Sequence, residues 1–473
     1  MSDSPERVPW TPQLVRVMAG LMLSLFVAAM DSTVVGTALP TIAHDLGRFE
    51  LYPWIVSGYL ITATTTVPIW GRLADLHGRR RILMIGTALF VIASALCAAS
   101  PSMEWLIAFR TLQGIGAGCI QPVVFTVVGD IFPMRQRARL QGLFAGMWAV
   151  AAIVGPGLGA LFVSTVGWRW IFTINLPIGI IAAALVWGYR ERRQAGAGSL
   201  DVRSTVLLTA GIVLLLFGLG TGSPTATPNW PLAGVALVVL IAFGVVESRS
   251  ANPTVPLDLL RHRVIGPAIV VAVLGGTVMF AVFAYIPLWV QGVEGGSAYA
   301  AGVAVGAMSI GWPVMSAVAG WIMIRVGYQR LVVAGAALLL AGSLMLALGS
   351  REMGIAWTAA ATIVIGSGMG LFSAPLLIVI QSNVGWGRRG AATALNQFAR
   401  TIGGAIGVSL MGVLLQTFVR SARDPLQARD RLAAGLHADY VVMVVLSALV
   451  LAVGVGLLLA RRSVQEPSPV AVS

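Results

Sequence analysis

The chain has 473 residues, 57% of them apolar (Ala, Val, Ile, Leu, Met, Phe, Trp, Tyr, Cys) and only 10% charged. Soluble domains carry about 25% charged residues and reach about 45–50% apolar with glycine counted. Here 55 glycines come on top of the 57%, which excludes a soluble fold. The formal charge is +13, and all 31 basic residues are arginine. Without lysine there is no phosphate-gripping P-loop and no Schiff-base chemistry, so neither an ATP-driven motor nor a pyridoxal enzyme is possible. At ~20 apolar residues per span the composition describes an all-α polytopic membrane protein.

A Pro-rich head (Pro5, Pro9, Pro12) precedes fourteen predicted spans, at 13–38, 51–70, 82–100, 104–128, 142–165, 171–189, 204–222, 231–247, 264–290, 301–323, 331–349, 354–380, 390–416 and 440–460. The first run is longer than the apolar region of a cleavable signal peptide and reads as a retained helix. With the N-terminus inside, 22 arginines fall on the cytoplasmic side and seven in outer loops, which is the positive-inside rule. The basic charge is therefore topology: both termini are expected in the cytoplasm of a bacterium with a GC-rich genome, the chain in its inner membrane, and no nucleic-acid partner. The last outer loop, 417–439, is the exception. Arg420, Arg423, Arg429 and Arg431 stand there among Asp424, Asp430 and Asp439, and self-pairing is the one account the sequence offers.

The histidines (His44, His77, His262, His437) all fall in predicted loops, and Cys97 and Cys119 lie in spans without a CxxC spacing, so neither metal nor cofactor is expected. The longest loops, about 15–24 residues, leave no room for a soluble sensor domain.

Three features recur at nearly one offset. Gly71-Arg-Leu-Ala-Asp75-Leu-His-Gly78-Arg-Arg-Arg81 follows span 2, and Gly320-Trp-Ile-Met-Ile-Arg-Val-Gly327-Tyr-Gln-Arg330 follows span 10, at an offset of 249. Gly155-Pro-Gly-Leu-Gly159 matches Gly403-Gly-Ala-Ile-Gly407 at 248, and Gly114, Gly116 and Gly118 match Gly366, Gly368 and Gly370 at 252. The expected organisation is a tail (1–12), a six-helix bundle (13–189), a linker with two inserted spans (190–263), a second six-helix bundle (264–461) and a C-terminal tail (462–473). Duplicated bundles with a site between them are secondary-transporter architecture.

Asp31-Ser-Thr-Val-Val-Gly-Thr-Ala-Leu-Pro40 in span 1, the Gly71–Arg81 loop, Arg110-Thr-Leu-Gln-Gly114 in span 4, Gly155–Gly159 in span 5 and Trp168–Gly179 before span 6 resemble the major facilitator superfamily. Within it, the resemblance is to the fourteen-helix drug:proton antiporters, and it covers nearly the whole chain. Gly36 stands where that span 1 pattern usually has Asn, and Ala160 replaces the last Gly of the span 5 pattern. The fourteen-helix peptide carriers differ, because their ExxER signature is absent. The resemblance implies alternating access and proton-coupled efflux of amphipathic compounds. It also implies a cytoplasmic gate of Gly71, Arg72, Asp75, Gly78, Arg79 and Arg80, and an antiporter motif of Gly155, Pro156, Gly157 and Gly159. A single-metabolite exporter or symporter is the alternative; one chain holds both halves, so a monomer with no obligate protein partner suffices.

Ionisable residues inside spans are costly and mark function by default. Asp31 and Arg110 lie at comparable depth and can pair; the repeat partners of these positions, Phe280 and Thr362, carry no charge. Asp31 is read as the protonation site, against a static Asp31–Arg110 pair, and Arg110 as either coupling residue or tether. Asp130 and Glu247, at span ends, read as interface anchors. At 100° per residue Gln113 and Gln121 share an arc of about 140° with Arg110, and Asn396, Gln397 and Arg400 one of about 120° with Gly403, Gly404 and Gly407. These polar faces either line a cavity or bond between helices. Tyr59, Phe125, Trp148, Tyr285 and Trp312 are candidate aromatic contacts. Because spans 9–14 show no deep carboxylate, neutral or monocationic lipophiles are the expected substrates rather than dications.

Overall fold

A computed structural model describes residues 8–48, 51, 53–189, 191, 199–220, 228–250, 252–419 and 425–462. Among these the regular structure is helical: α1 (Pro12–Leu46), α2 (Pro53–His77), α3 (Arg79–Ala98), α4 (Met103–Ile131), α5 (Met134–Thr165), α6 (Trp170–Thr173), α7 (Asn175–Trp187), α8 (Val202–Gly218), α9 (Trp230–Arg249), α10 (Ile265–Leu288), α11 (Ala298–Val326), α12 (Tyr328–Leu348), α13 (Gly354–Ser382), α14 (Arg389–Val419) and α15 (Pro425–Arg462). With α6 and α7 taken together, eleven stretches are long and apolar enough to cross a membrane, and α8 is a shorter apolar helix. The other two are α2, which carries a threonine-rich stretch, Arg72 and Asp75, and α5, which opens on arginines.

Local sequence sets many of the ends. Thr11 caps α1, its Oγ1 accepting from Leu14 N at 3.2 Å, with Pro12 at the first helical position. Asp201 caps α8, accepting from Arg203 N and Ser204 N, and Ser250 donates to it at 2.7 Å. The Ser250 hydroxyl and the helix amides hold its carboxyl below the usual aspartate range. α10 runs on into a single π-turn, Trp289–Val293.

The largest departure from the predicted elements is α15. Helix begins at Pro425, inside the predicted loop 417–439, so His437 and Asp439 are helical. Arg420, Arg423 and Asp424 lie outside the described residues. Among the described residues Arg429 does not pair with the loop's acids: it donates from Nε and Nη2 to Val293 O at 2.9 and 2.5 Å, and the oxygens of the buried Asp439 have no hydrogen-bond partner there. Two carboxylates at this end, both outside the predicted spans, are drawn into the helical part: Asp439 is fully buried, and Glu294, just past the π-turn, is partly so.

α1 packs on α5 and α7, α2 and α3 on α4, α10 and α15 on α14, and α12 on α13 and α15. Links between these groups run through α2–α14 and α5–α11; α8 packs on α9 and touches α2, with Trp54 stacked on Phe217 at 4.9 Å. The sequence echo has a structural counterpart. Gly78 (φ 95°) and Gly327 (φ 86°) each make the one-residue turn between consecutive helices, in backbone that side chains resist. A Cβ on Gly114 or Gly118 would meet α2 backbone at 2.4–2.5 Å, and one on Gly366 or Gly370 would meet α11 backbone at 2.3–2.4 Å. These residues are small so that helix axes can approach.

Candidate functional site

Two charge clusters stand out, at different depths. In the first, the Asp31 carboxylate is inside the bundle, 1% exposed. Arg110 Nη1 donates to its Oδ2 at 2.6 Å, while Gln113 Nε2 and Asn175 Nδ2 donate to Oδ1 at 3.0 and 2.7 Å. Arg110 also donates to Gln113 Oε1 at 2.6 Å and to Ile55 O at 3.3 Å, with its guanidinium 4.2 Å from the Tyr59 ring centre. Ser94 accepts from Gln113 at 2.7 Å and passes the network to Phe90 O. α1, α2, α3, α4 and α7 thus converge on one ion pair. A buried pair is tolerated only when its remaining donors and acceptors are engaged, and here nearly all are; Asn175 Oδ1 lacks a partner among the described residues.

The second cluster lies past the apolar part of α2. Arg79, fully buried, contacts Asp75 at 2.7 Å, Asp130 at 3.0 Å and Glu191 at 3.8 Å. Its Nη2 donates to Trp386 O at 2.6 Å and its guanidinium sits 3.7 Å from that indole's centre. The Asp75 oxygens accept from Gly390 N at 3.0 Å and Ala391 N at 2.8 Å. Those are the second and third amides of α14, so Asp75 caps a helix more than three hundred residues away and meets the positive end of its dipole. Arg389 reaches Asp130 at 3.2 Å, and Gln381 donates to Phe125 O at 3.0 Å. These hydrogen bonds and ion pairs, which join α1–α7 to the segment from α13 to α14, all lie at this end.

Of the other expected gate residues, Gly71 lets α2 touch α14, since a Cβ there would lie 2.3 Å from the Ala394 Cβ. Gly78 makes the turn, and Glu191 accepts from the Arg79 and Arg80 amides at 2.8 and 3.4 Å. Arg80 stacks toward Trp187 at 5.2 Å, while the buried Arg72 Nε has no hydrogen-bond partner among the described residues. Asp130, expected as an interface anchor, instead joins Arg79 to Arg389. Glu247 accepts from the Val255 amide in the loop after α9.

In α5, Gly155 and Gly159 face α1: a Cβ on either would lie 2.1 or 2.0 Å from Thr33 or Thr37 Oγ1. Gly157 faces open space, and the Pro156 side chain lies outside the described residues. The expected substrate-lining set divides. Tyr59 and Gln113 belong to the Asp31 network, and Phe125 is buried edge-on against Phe144 at 5.5 Å. Asn396 and Gln397 are buried, and Arg400 sits 5.8 Å from the Trp312 ring centre. Trp148 is exposed and Gln121 half-buried. Sequence reasoning missed Asn175, Ser94, Gln381 and Glu191. Asn175 stands within the Trp168–Gly179 motif without being marked out in it, and Ser94 and Gln381 are neutral polar residues in apolar runs that nothing in the pattern singled out.

The sequence profile described as the Major Facilitator Superfamily matches residues 21–408. The multidrug transporter protein MdtP of Bacillus subtilis (strain 168) is 34% identical over 404 residues, 84% of this chain and 75% of its own. The efflux pump dotC of Dothistroma septosporum (strain NZE10 / CBS 128990) is 32% identical over 438 residues, 89% of this chain and 75% of that one. Among solved structures, the human organic anion transporter MFSD10 superposes with a TM-score of 0.70 at 14% identity, over 94% of this chain and 100% of that chain, a likeness of fold. The chain belongs to the Major Facilitator Superfamily and is one of its polytopic membrane transporters.

Proposed function

We propose that the protein is a proton-coupled efflux antiporter of the fourteen-span branch, moving amphipathic compounds by alternating access between a bundle at 13–189 and one at 264–461. The observation that carries the reading is the pairing of the two clusters. One is a polar latch that joins the bundles at one end; the other is a carboxylate with a charged partner deep inside one bundle. The latch end is the cytoplasmic end on the arginine distribution, and both termini lie on that side of a bacterial inner membrane. Separation of Asp75 from the α14 amides opens the inner mouth. Asp31 carries the proton, with Arg110 as its charged partner at 2.6 Å. Relatives called a multidrug transporter and an efflux pump support export.

The candidate lining residues Tyr59, Gln121, Trp148, Asn396, Gln397 and Arg400 include no carboxylate, which supports neutral or monocationic substrates. A monomer suffices, and the proton is the one coupling species required. Proton release on substrate binding tests the coupling. In weakly buffered detergent solution a lipophilic monocation displaces protons from the wild type, and Asp31→Asn abolishes the release while binding persists. Undiminished release from Asp31→Asn would move the proton to another carboxylate.

A further inference from the structure

At the end of the bundle away from Asp75, the termini of α10, α12 and α15 enclose a cavity of about 400 Å³. Trp289 and His437 lie in its wall, with Ser350, Arg351, Arg429 and Asp430. The backbone acceptors that would repel an anion are already engaged. Arg429 covers Val293 O, and His437 lies 2.8 Å from Gly349 O. Arg351 is exposed and has no hydrogen bond or ion pair among the described residues, and Arg429 Nη1 has none either. In the cavity wall itself two guanidiniums stand against one carboxylate, Asp430; Glu294, next to the wall residue Val293, accepts from Trp289 Nε1 at 2.8 Å and Thr358 Oγ1 at 2.9 Å.

Apolar surface leads away from it. Leu348, itself in the cavity wall and 71% exposed, is followed one turn down α12 by exposed Leu344. One turn past His437 on α15, Val441 and then Val445 are exposed on a shared face. α12 and α15 pack together along this seam, with Ser343 and Ser447 hydroxyls 2.9 Å apart. A positive polar cup continuous with an apolar track is the shape of a phospholipid: phosphate above, acyl chain below.

We propose that this cavity binds the headgroup of an anionic phospholipid. Its phosphodiester lies between Arg351 and Arg429, its distal hydroxyls donate to Asp430, and its chains lie along Leu344, Leu348, Val441 and Val445. On the orientation proposed above this is the outer leaflet, and the site accounts for arginines that the positive-inside rule does not place there.

The test uses the full-length protein in detergent, titrated with phosphatidylglycerol and read by native mass spectrometry as the fraction carrying lipid. Arg351→Gln, on an exposed and unpartnered residue, weakens binding about tenfold, and adding Arg429→Gln abolishes the retained lipid. Should the Arg429 change unfold the protein, Arg351→Gln carries the test alone. Arg431→Gln, outside the cavity, leaves binding unchanged. Phosphatidylcholine, zwitterionic and lacking a distal donor, binds the wild type more weakly than phosphatidylglycerol, and equal retention of the two lipids also overturns the proposal. Equal retention by wild type and Arg351→Gln, or an equal loss in Arg431→Gln, overturns the proposal. Displacement of the lipid by millimolar glycerol phosphate overturns it in favour of a soluble-anion site.

Discussion

Gly71→Ala places one methyl group where α2 and α14 meet. The added Cβ would lie 2.3 Å from the Ala394 Cβ and 2.8 Å from Gly390 O. Carbon atoms rest at about 3.5–4.0 Å, so the helices must part by about 1.2–1.7 Å. Asp75, one turn further along α2, moves with Gly71. Its 3.0 Å bond to Gly390 N then stretches beyond hydrogen-bond range, and the Ala391 bond follows. Two charge-assisted bonds at about 1.5–3 kcal/mol each amount to about 3–6 kcal/mol. That shifts the latched-to-open ratio by about 10² to 10⁴. The assay is alkylation of Thr393→Cys, a position wholly buried behind the latch beside Gln381 at 3.1 Å. An impermeant maleimide is applied from the Asp75 side of inside-out vesicles. Gly71→Ala raises the rate at least tenfold, whereas Gly36→Ala, with open space around it, does not. Equal rates for all three would refute the view that this contact holds the end shut.

Asp31→Asn and Arg110→Gln each leave a buried group without its counter-charge and cost about 3–5 kcal/mol. The double change costs less than the sum, and additive losses in thermal unfolding would contradict the buried pair. Gly159→Ala, 2.0 Å from Thr37 Oγ1, destabilises by about 1–3 kcal/mol. Gly157→Ala, facing open space, stays within about 0.5 kcal/mol, so melting in micelles should separate the two. Because the folded protein holds the Asp201 carboxyl below its usual value, the stability this cap lends is present above the unfolded value of about 3.9 and is lost as pH falls through the lower folded one. Hydrogen exchange at the Arg203 and Ser204 amides should be protected evenly from pH 8 to 5 and lose protection only in acid.

Asp31 and Arg110 were legible because charges within apolar runs are scarce and costly, and the structure brings the two together at 2.6 Å. Their neutral partners were not, because an Asn or Ser in a membrane helix has many bland explanations. The motif Gly71–Arg81, expected as a loop, announced itself by composition, although all of it but Gly78 is helical. The pairing of Asp75 with Arg79 lies within that motif, at 2.7 Å, but what Asp75 touches in the other bundle could not be read, because those partners are main-chain amides of Gly390 and Ala391, which no side-chain pattern encodes. Asp130 was misjudged for a related reason: depth along one helix says nothing about which arginines converge from α3 and α14. The start of α15 was missed because hydropathy, not helix propensity, set the span; Leu-Gln-Ala-Arg-Asp-Arg-Leu-Ala-Ala is polar yet strongly helix-forming. That error hid Asp439 and His437 in a loop and left the outer arginines unexplained.

The most direct test of the account is uptake of a fluorescent lipophilic monocation into inside-out vesicles, with and without an imposed pH gradient, for wild type and Asp31→Asn. The account predicts gradient-driven accumulation in the wild type and none in Asp31→Asn, with substrate binding retained. Accumulation that ignores the gradient, or that survives the substitution, would contradict proton coupling through Asp31.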